Sequence, residues 1–270
     1  MLFFSVLGHV EVRARDRVFR LAGTMQQSLL AALLVSRGGL VTVDSLILEL
    51  WGGEPPSKVQ NALQAQVSRV RRSLALLEPE RPGSRVITTP SGYLFSVGRQ
   101  ELDAHVFMDT VDRVRRAVAD DGSSAGPAQD IRELRRALSF WSGPVFGGLR
   151  VGPLCQAVAA RYAEARNAAL TLLFELELTT GPPDRILPEL AEAYEQNPTN
   201  EKLCMLLMGA LYRCGRQRDA LDVYRKCRRT LVDDLGVDPT PALRRYEKAI
   251  LNHDAEMLRE PVGHGGRMGM

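Results

Sequence analysis

Residues Val59–Leu77, VQNALQAQVSRVRRSLALL, carry two different faces on one helix. At about 100° per residue, Val59, Leu63, Val67, Val70, Leu74 and Leu77 gather within roughly a quarter of the helix circumference, a stripe that a core would bury. The opposite side presents Asn61, Gln64, Ala65, Ser68 and Arg72, with Lys58, Arg69 and Arg71 at its margins and no acidic residue before Glu78. Such a surface has the chemistry of a helix that enters a DNA major groove. Amides pair two-pronged with adenine, arginine pairs with guanine, and the remaining guanidiniums meet phosphates, while Ala65 and Ser68 let the helix approach closely.

Working outward, three short alternating runs open the chain near Leu2–Leu7, His9–Arg13 and Val18–Leu21 and predict strands. Helical spacing follows at Met25–Ser36 and stops at Gly38 and Gly39; Thr42 then caps a helix over Val43–Trp51, and Pro55 and Pro56 break the chain before the long helix. Beyond it, Arg85–Thr89, a Pro-Ser-Gly turn and Tyr93–Val97 predict a hairpin. A hairpin directly after a candidate recognition helix is the wing of a winged helix, which places Arg85, Thr88, Thr89, Ser91 and Tyr93 within reach of the DNA backbone or minor groove. The expected DNA-binding set is Lys58, Asn61, Gln64, Ser68, Arg69, Arg71, Arg72, Arg85, Thr88, Thr89 and Tyr93.

From Leu102 onward strand patterns vanish. A helix pair is expected over Val106–Ala119 and Gln129–Trp141 with a small-residue joint at Gly122–Gly126, then a long helix over Leu154–Thr180 and a capping helix over Leu243–Leu251. Aligning the chain on itself at a shift of 34 residues pairs Leu170 with Cys204, Leu173 with Leu207, Phe174 with Met208, Gly181 with Gly215, Leu190 with Tyr224 and Ala193 with Cys227. That period is the length of a tetratricopeptide helix pair. Met257–Met270 is glycine-rich and patternless, and disorder is expected there.

The fold expected is therefore α+β, an N-terminal winged helix over residues 1–98, followed by an all-α tetratricopeptide-like domain over 102–252 and a tail over 253–270. Charge follows the same division: residues 1–100 hold 12 basic against 7 acidic groups, and residues 101–252 hold 21 against 22. The basic surplus sits where a polyanion would bind. A hydrophobic share of 45% without a run near the ~18 apolar residues of a membrane span argues against a membrane protein. The first residues lack a basic leader and cleavage site, so a cytoplasmic location is expected. Cys155, Cys204, Cys214 and Cys227 have no CxxC spacing and read as core thiols; His9, His105, His253 and His264 are scattered. Neither a cofactor, a metal site nor a catalytic centre is expected, and no nucleotide-binding GxxxxGK[ST] loop occurs. The competing reading is a repeat-type protein adaptor that does not bind DNA.

Three motifs carry a family resemblance: VTVDSLILELWGGEPPSKVQNALQAQVSRVRRSL at 41–74, ITTPSGYLFSV at 87–97, and LMGALYRCGRQRDALDVYRKCRRTLVDDLGVDP at 207–239. From Phe4 to Leu251 the chain resembles the Streptomyces antibiotic regulatory proteins. The resemblance implies an OmpR-like winged helix, of the kind found in two-component effectors, fused to a bacterial transcriptional activation domain. It also implies a transcriptional activator of an antibiotic or other secondary-metabolite cluster. Such a protein binds direct repeats near the promoter −35 region, with a second copy in tandem, and helps RNA polymerase engage. One departure from the family pattern is a slightly longer, acidic joint at Leu76–Pro82.

Overall fold

The computed structural model describes residues 2–119 and 126–254. It is mostly helical, with a small β region at the N-terminus. By packing, the chain divides into two compact units: Met1–Arg116 with Arg136–Arg166, and Ala117–Arg135 with Asn167–Met270.

The first unit opens with three antiparallel strands, β1 (Leu2–Ser5), β2 (Glu11–Ala14) and β3 (Arg17–Phe19), in which Phe4 faces Val12 and Val12 faces Phe19. Alternation explains the arrangement: Leu2, Phe4 and Val12 are buried, while on the other face Phe3 and Ser5 are half-buried and Arg13 is exposed. Helix α1 (Thr24–Val35) is buried along its whole second half, from Ser28 to Val35. Strand β4 (Val41–Thr42) is two residues long and pairs with β6 (Gly92–Phe95), whose other neighbour is β5 (Val86–Thr89). No strand was expected at β4, because two residues show no periodicity. Its pairing requires Gly92, where a Cβ would overlap the carbonyl oxygen of Val41. Helix α2 (Val43–Trp51) starts at Thr42, whose hydroxyl accepts from Ser45 N at 3.2 Å. Helix α3 (Val59–Leu77) has the bounds that its periodicity predicts.

Helix α4 (Asp103–Ala119) and the start of α6 (Pro153–Thr180) belong to this unit as well. Leu102 bridges to Phe4 beside β1. The Asp103 carboxylate accepts from Val6 N at 2.9 Å, Leu7 N at 3.1 Å and Ala104 N at 2.6 Å. Burial pushes that carboxyl up to about 7 against the pull of these donors. Glu49 of α2 is buried and accepts from Gly152 N at 2.8 Å, Leu154 N at 2.9 Å and Cys155 N at 3.3 Å at the first turn of α6.

Between α4 and α6 lies α5 (Pro127–Leu138); the expected joint at Gly122–Gly126 falls mostly outside the described residues, as does the expected disordered tail beyond Asp254. The second unit holds α7 (Leu187–Gln196), α8 (Glu201–Arg213), α9 (Gln217–Leu235) and α10 (Pro241–Leu251). Its core is built from Phe174, Leu190, Tyr194, Cys204, Met208, Tyr224, Cys227, Leu243 and Tyr246. Residues paired by the 34-residue shift are buried in both copies at Leu173/Leu207, Phe174/Met208, Leu190/Tyr224 and Ala193/Cys227; Leu170 is half-buried where Cys204 is buried. This is a helical, repeat-like domain. Its cysteines are free thiols, as is Cys155; Cys204 and Cys227 are buried and Cys214 is half-buried. No helix among the described residues is long and apolar enough to cross a membrane, and among them no cluster of His, Cys, Asp or Glu could hold a metal.

Candidate nucleic-acid interface

Helix α3 is held by burial of Leu63, Val67, Val70 and Leu74. Its other side is open: Lys58, Asn61, Gln64, Ala65, Ser68, Arg69 and Arg72 are all exposed. Among the described residues, no hydrogen bond or ion pair engages the side chains of Asn61, Gln64, Ser68, Arg69 or Arg72. The amide and guanidinium donors of this face are thus available to a ligand. The helix start adds to the same field. Its first turn holds no acidic residue and its N-cap, Lys58, makes no side-chain cap, so unpaired N–H groups and the positive end of the helix dipole meet a lysine.

Beside this face lies the β5–β6 hairpin. A cleft of about 500 Å³, lined in part by Thr42, Asp44, Gln60, Gln64, Ser91 and Tyr93, separates the start of α3 from the hairpin turn. The hairpin is tied to α3 at two places. Within the helix, Arg71 donates from Nε and Nη2 to the carbonyl oxygen of Val86 at 3.0 and 2.9 Å, and from Nη2 to Thr88 Oγ1 at 2.7 Å. Past its end, Arg85 donates from Nε to Glu78 at 2.7 Å and from Nη1 to Glu101 at 2.9 Å.

These contacts revise the expected set. Arg85 cannot serve as a surface contact: its side chain is 2% exposed and spent on two carboxylates. Desolvation works against its charge, but the bonds to Glu101 and Glu78 outweigh it and hold its pKa above the usual arginine range. In return, its hydrogen bonds keep both glutamates below the usual carboxylate range. Tyr93 is also corrected, being 6% exposed within the core beneath the turn. Arg71 is half-buried and faces the hairpin. Thr88 is exposed but accepts from Arg71, and half-buried Thr89 donates to Gly92 O at 3.1 Å. The structure thus brings together Lys58, Asn61, Gln64, Ser68, Arg69 and Arg72 on one open face, with Thr88 nearby on the hairpin. The acidic joint at Leu76–Pro82 has its explanation in Glu78, the partner of Arg85. A basic residue flanked by Glu78 and Glu101 was the sequence signal for this pairing, but opposite charges 7 and 16 residues away do not reveal contact.

Residues 102–251 match the family model of the bacterial transcriptional activator domain. The chain belongs to the Streptomyces antibiotic regulatory protein family of transcription regulators. It is 34% identical to the transcriptional regulator RedD of Streptomyces coelicolor over 95% of this chain and 74% of that protein. Against the regulatory protein AfsR of the same organism it is 36% identical over 94% of this chain, yet it spans only 24% of AfsR. Among solved structures, Mycobacterium tuberculosis EmbR in complex with a low affinity phosphopeptide superposes with a TM-score of 0.82 at 31% identity, covering 93% of this chain and 65% of EmbR. EmbR therefore shares the fold over 93% of this chain, and both EmbR and AfsR extend beyond the matched part.

Proposed function

We propose that this regulator is a sequence-specific DNA-binding activator, with residues 1–98 forming a winged helix and residues 102–252 a tetratricopeptide-like activation domain. The observation that carries the reading is the open face of α3, which offers Asn61, Gln64, Ser68, Arg69 and Arg72 beside a helix start with Lys58 at the N-cap position and no acidic residue in its first turn. Asn61, Gln64, Ser68 and Arg72 read base edges in the major groove, while Arg69 and Lys58 neutralise phosphates. Thr88 meets the backbone from the hairpin. Membership of the Streptomyces antibiotic regulatory proteins supports control of an antibiotic or other secondary-metabolite cluster. Two copies bind head to tail on direct repeats near the −35 region, since one winged helix covers at most about a turn of DNA. The helical domain then contacts RNA polymerase. Such a protein works in the cytoplasm at the nucleoid, without a cofactor and without catalysing a reaction.

The test is a mobility-shift titration on promoters that neighbour the gene. Arg72→Ala is expected to lose about 1–3 kcal/mol of specific binding while keeping its fold by circular dichroism. Unchanged affinity would place α3 differently on the duplex, and no shift with the unaltered protein would favour a protein adaptor.

A further inference from the structure

Arg71 stands in the middle of a basic run, VSRVRRSL, and its type and position suit a phosphate contact. Its geometry assigns it other work. The Nε and Nη2 edge of the guanidinium, the edge that would grip a phosphate with two parallel bonds, is turned to Val86 O and Thr88 Oγ1 with three hydrogen bonds of 2.7–3.0 Å. The acceptors lie 15 and 17 residues further along the chain, on strand β5. Its neighbours Arg69 and Arg72 are exposed, whereas Arg71 is half-buried between helix and hairpin.

We propose that Arg71 is a positioning residue: it locks the hairpin to α3 so that helix and hairpin meet the duplex as one rigid body. This rests on the DNA-binding reading above. A planar fork is needed, because one flat group must reach a carbonyl and a hydroxyl on the same strand at once, which a lysine ammonium on a flexible stem does not reproduce. Holding the hairpin in place before binding removes the ordering cost that a loose hairpin would add on association.

Two measurements on the full chain separate this role from a phosphate contact. The first needs no DNA: amide hydrogen exchange of β5 and β6 is expected to speed up about tenfold in both Arg71→Ala and Arg71→Lys, with α3 unchanged. In the second, both variants are expected to bind the promoter about tenfold more weakly, and Thr88→Val about threefold. The slope of log affinity against log salt stays at the wild-type value, whereas Arg69→Ala reduces it by about 1. Rescue by lysine, or a slope lowered by about 1 in Arg71→Ala, would make Arg71 a phosphate contact and overturn the proposal. Unchanged exchange would overturn it too. If the unaltered protein bound no promoter DNA, the DNA-binding reading and the positioning role would fall together, while faster exchange in the variants would still mark the lock.

Discussion

Arg69, Arg71, Arg72 and Arg85 carry the same charge at neutral pH, and what separates them is the acceptor that the backbone puts in reach. Arg69 and Arg72 face solvent, Arg71 meets a carbonyl and a hydroxyl, and Arg85 lies between Glu78 and Glu101. The Arg85 cluster also has a pH signature. Both glutamates are held below their ordinary value of 4.5, so the unfolded chain takes up protons from the medium before the folded one does. Their contribution to stability is full above about pH 5 and is lost as pH falls through the lowered folded values. Replacing Arg85 with Met leaves two carboxylates without their cation in a poorly hydrated site, at a cost on the order of 3 kcal/mol at pH 7. Urea unfolding from pH 7 to pH 3 checks this: the gap between wild type and Arg85→Met is expected to shrink as the glutamates become protonated. A gap that stays constant down to pH 3 would refute the pairing as its source. The sequence exposes the type of each arginine but not its fate, because the deciding acceptors lie on other elements.

At the scale of elements, the strong periodic signals held. Val59–Leu77 and Val43–Trp51 begin and end where spacing, capping and proline or glycine breaks place them. Strand ends were less legible: β5 starts at Val86, one residue later than expected. The start of α6 shows a dependence that no local signal carries. Its first turn has no acidic residue of its own, and its cap is Glu49, more than 100 residues earlier on α2. The approach is tight, since a Cβ on Gly152 would sit 2.5 Å from Glu49 Cα. Glu49→Ala strands three N–H donors in a buried place and is expected to cost about 2–4 kcal/mol. Glu49→Gln keeps one acceptor oxygen and is expected to cost less. Denaturant titration measures both, and a loss under about 0.5 kcal/mol in the alanine variant would show that water replaces the cap.

For the molecule as a whole, the packing of the N-terminal unit reaches past the expected boundary at residue 98. Phe4 is fully buried with Leu102 bridged beside it, Asp103 takes the N–H groups of Val6 and Leu7, and Glu101 completes the Arg85 cluster. A chain cut after Gly98 removes all of these together with the α6 partners of Glu49. Its melting temperature is expected to fall more than about 10 °C below that of the full chain, at several degrees per kcal/mol for a domain of this size. Melting within about 2 °C of the full chain would show that these contacts add little. By itself, the sequence determined what depends on neighbours along one helix or strand: the two faces of α3, the succession of elements apart from the two-residue β4, the 34-residue repeat and the family motifs. Tertiary structure alone decided which polar and charged groups remain open to a ligand, because burial and hydrogen-bond acceptors come from segments distant in the chain. Arg72 stays open, while Arg85, Glu49 and Asp103 are consumed in holding the fold.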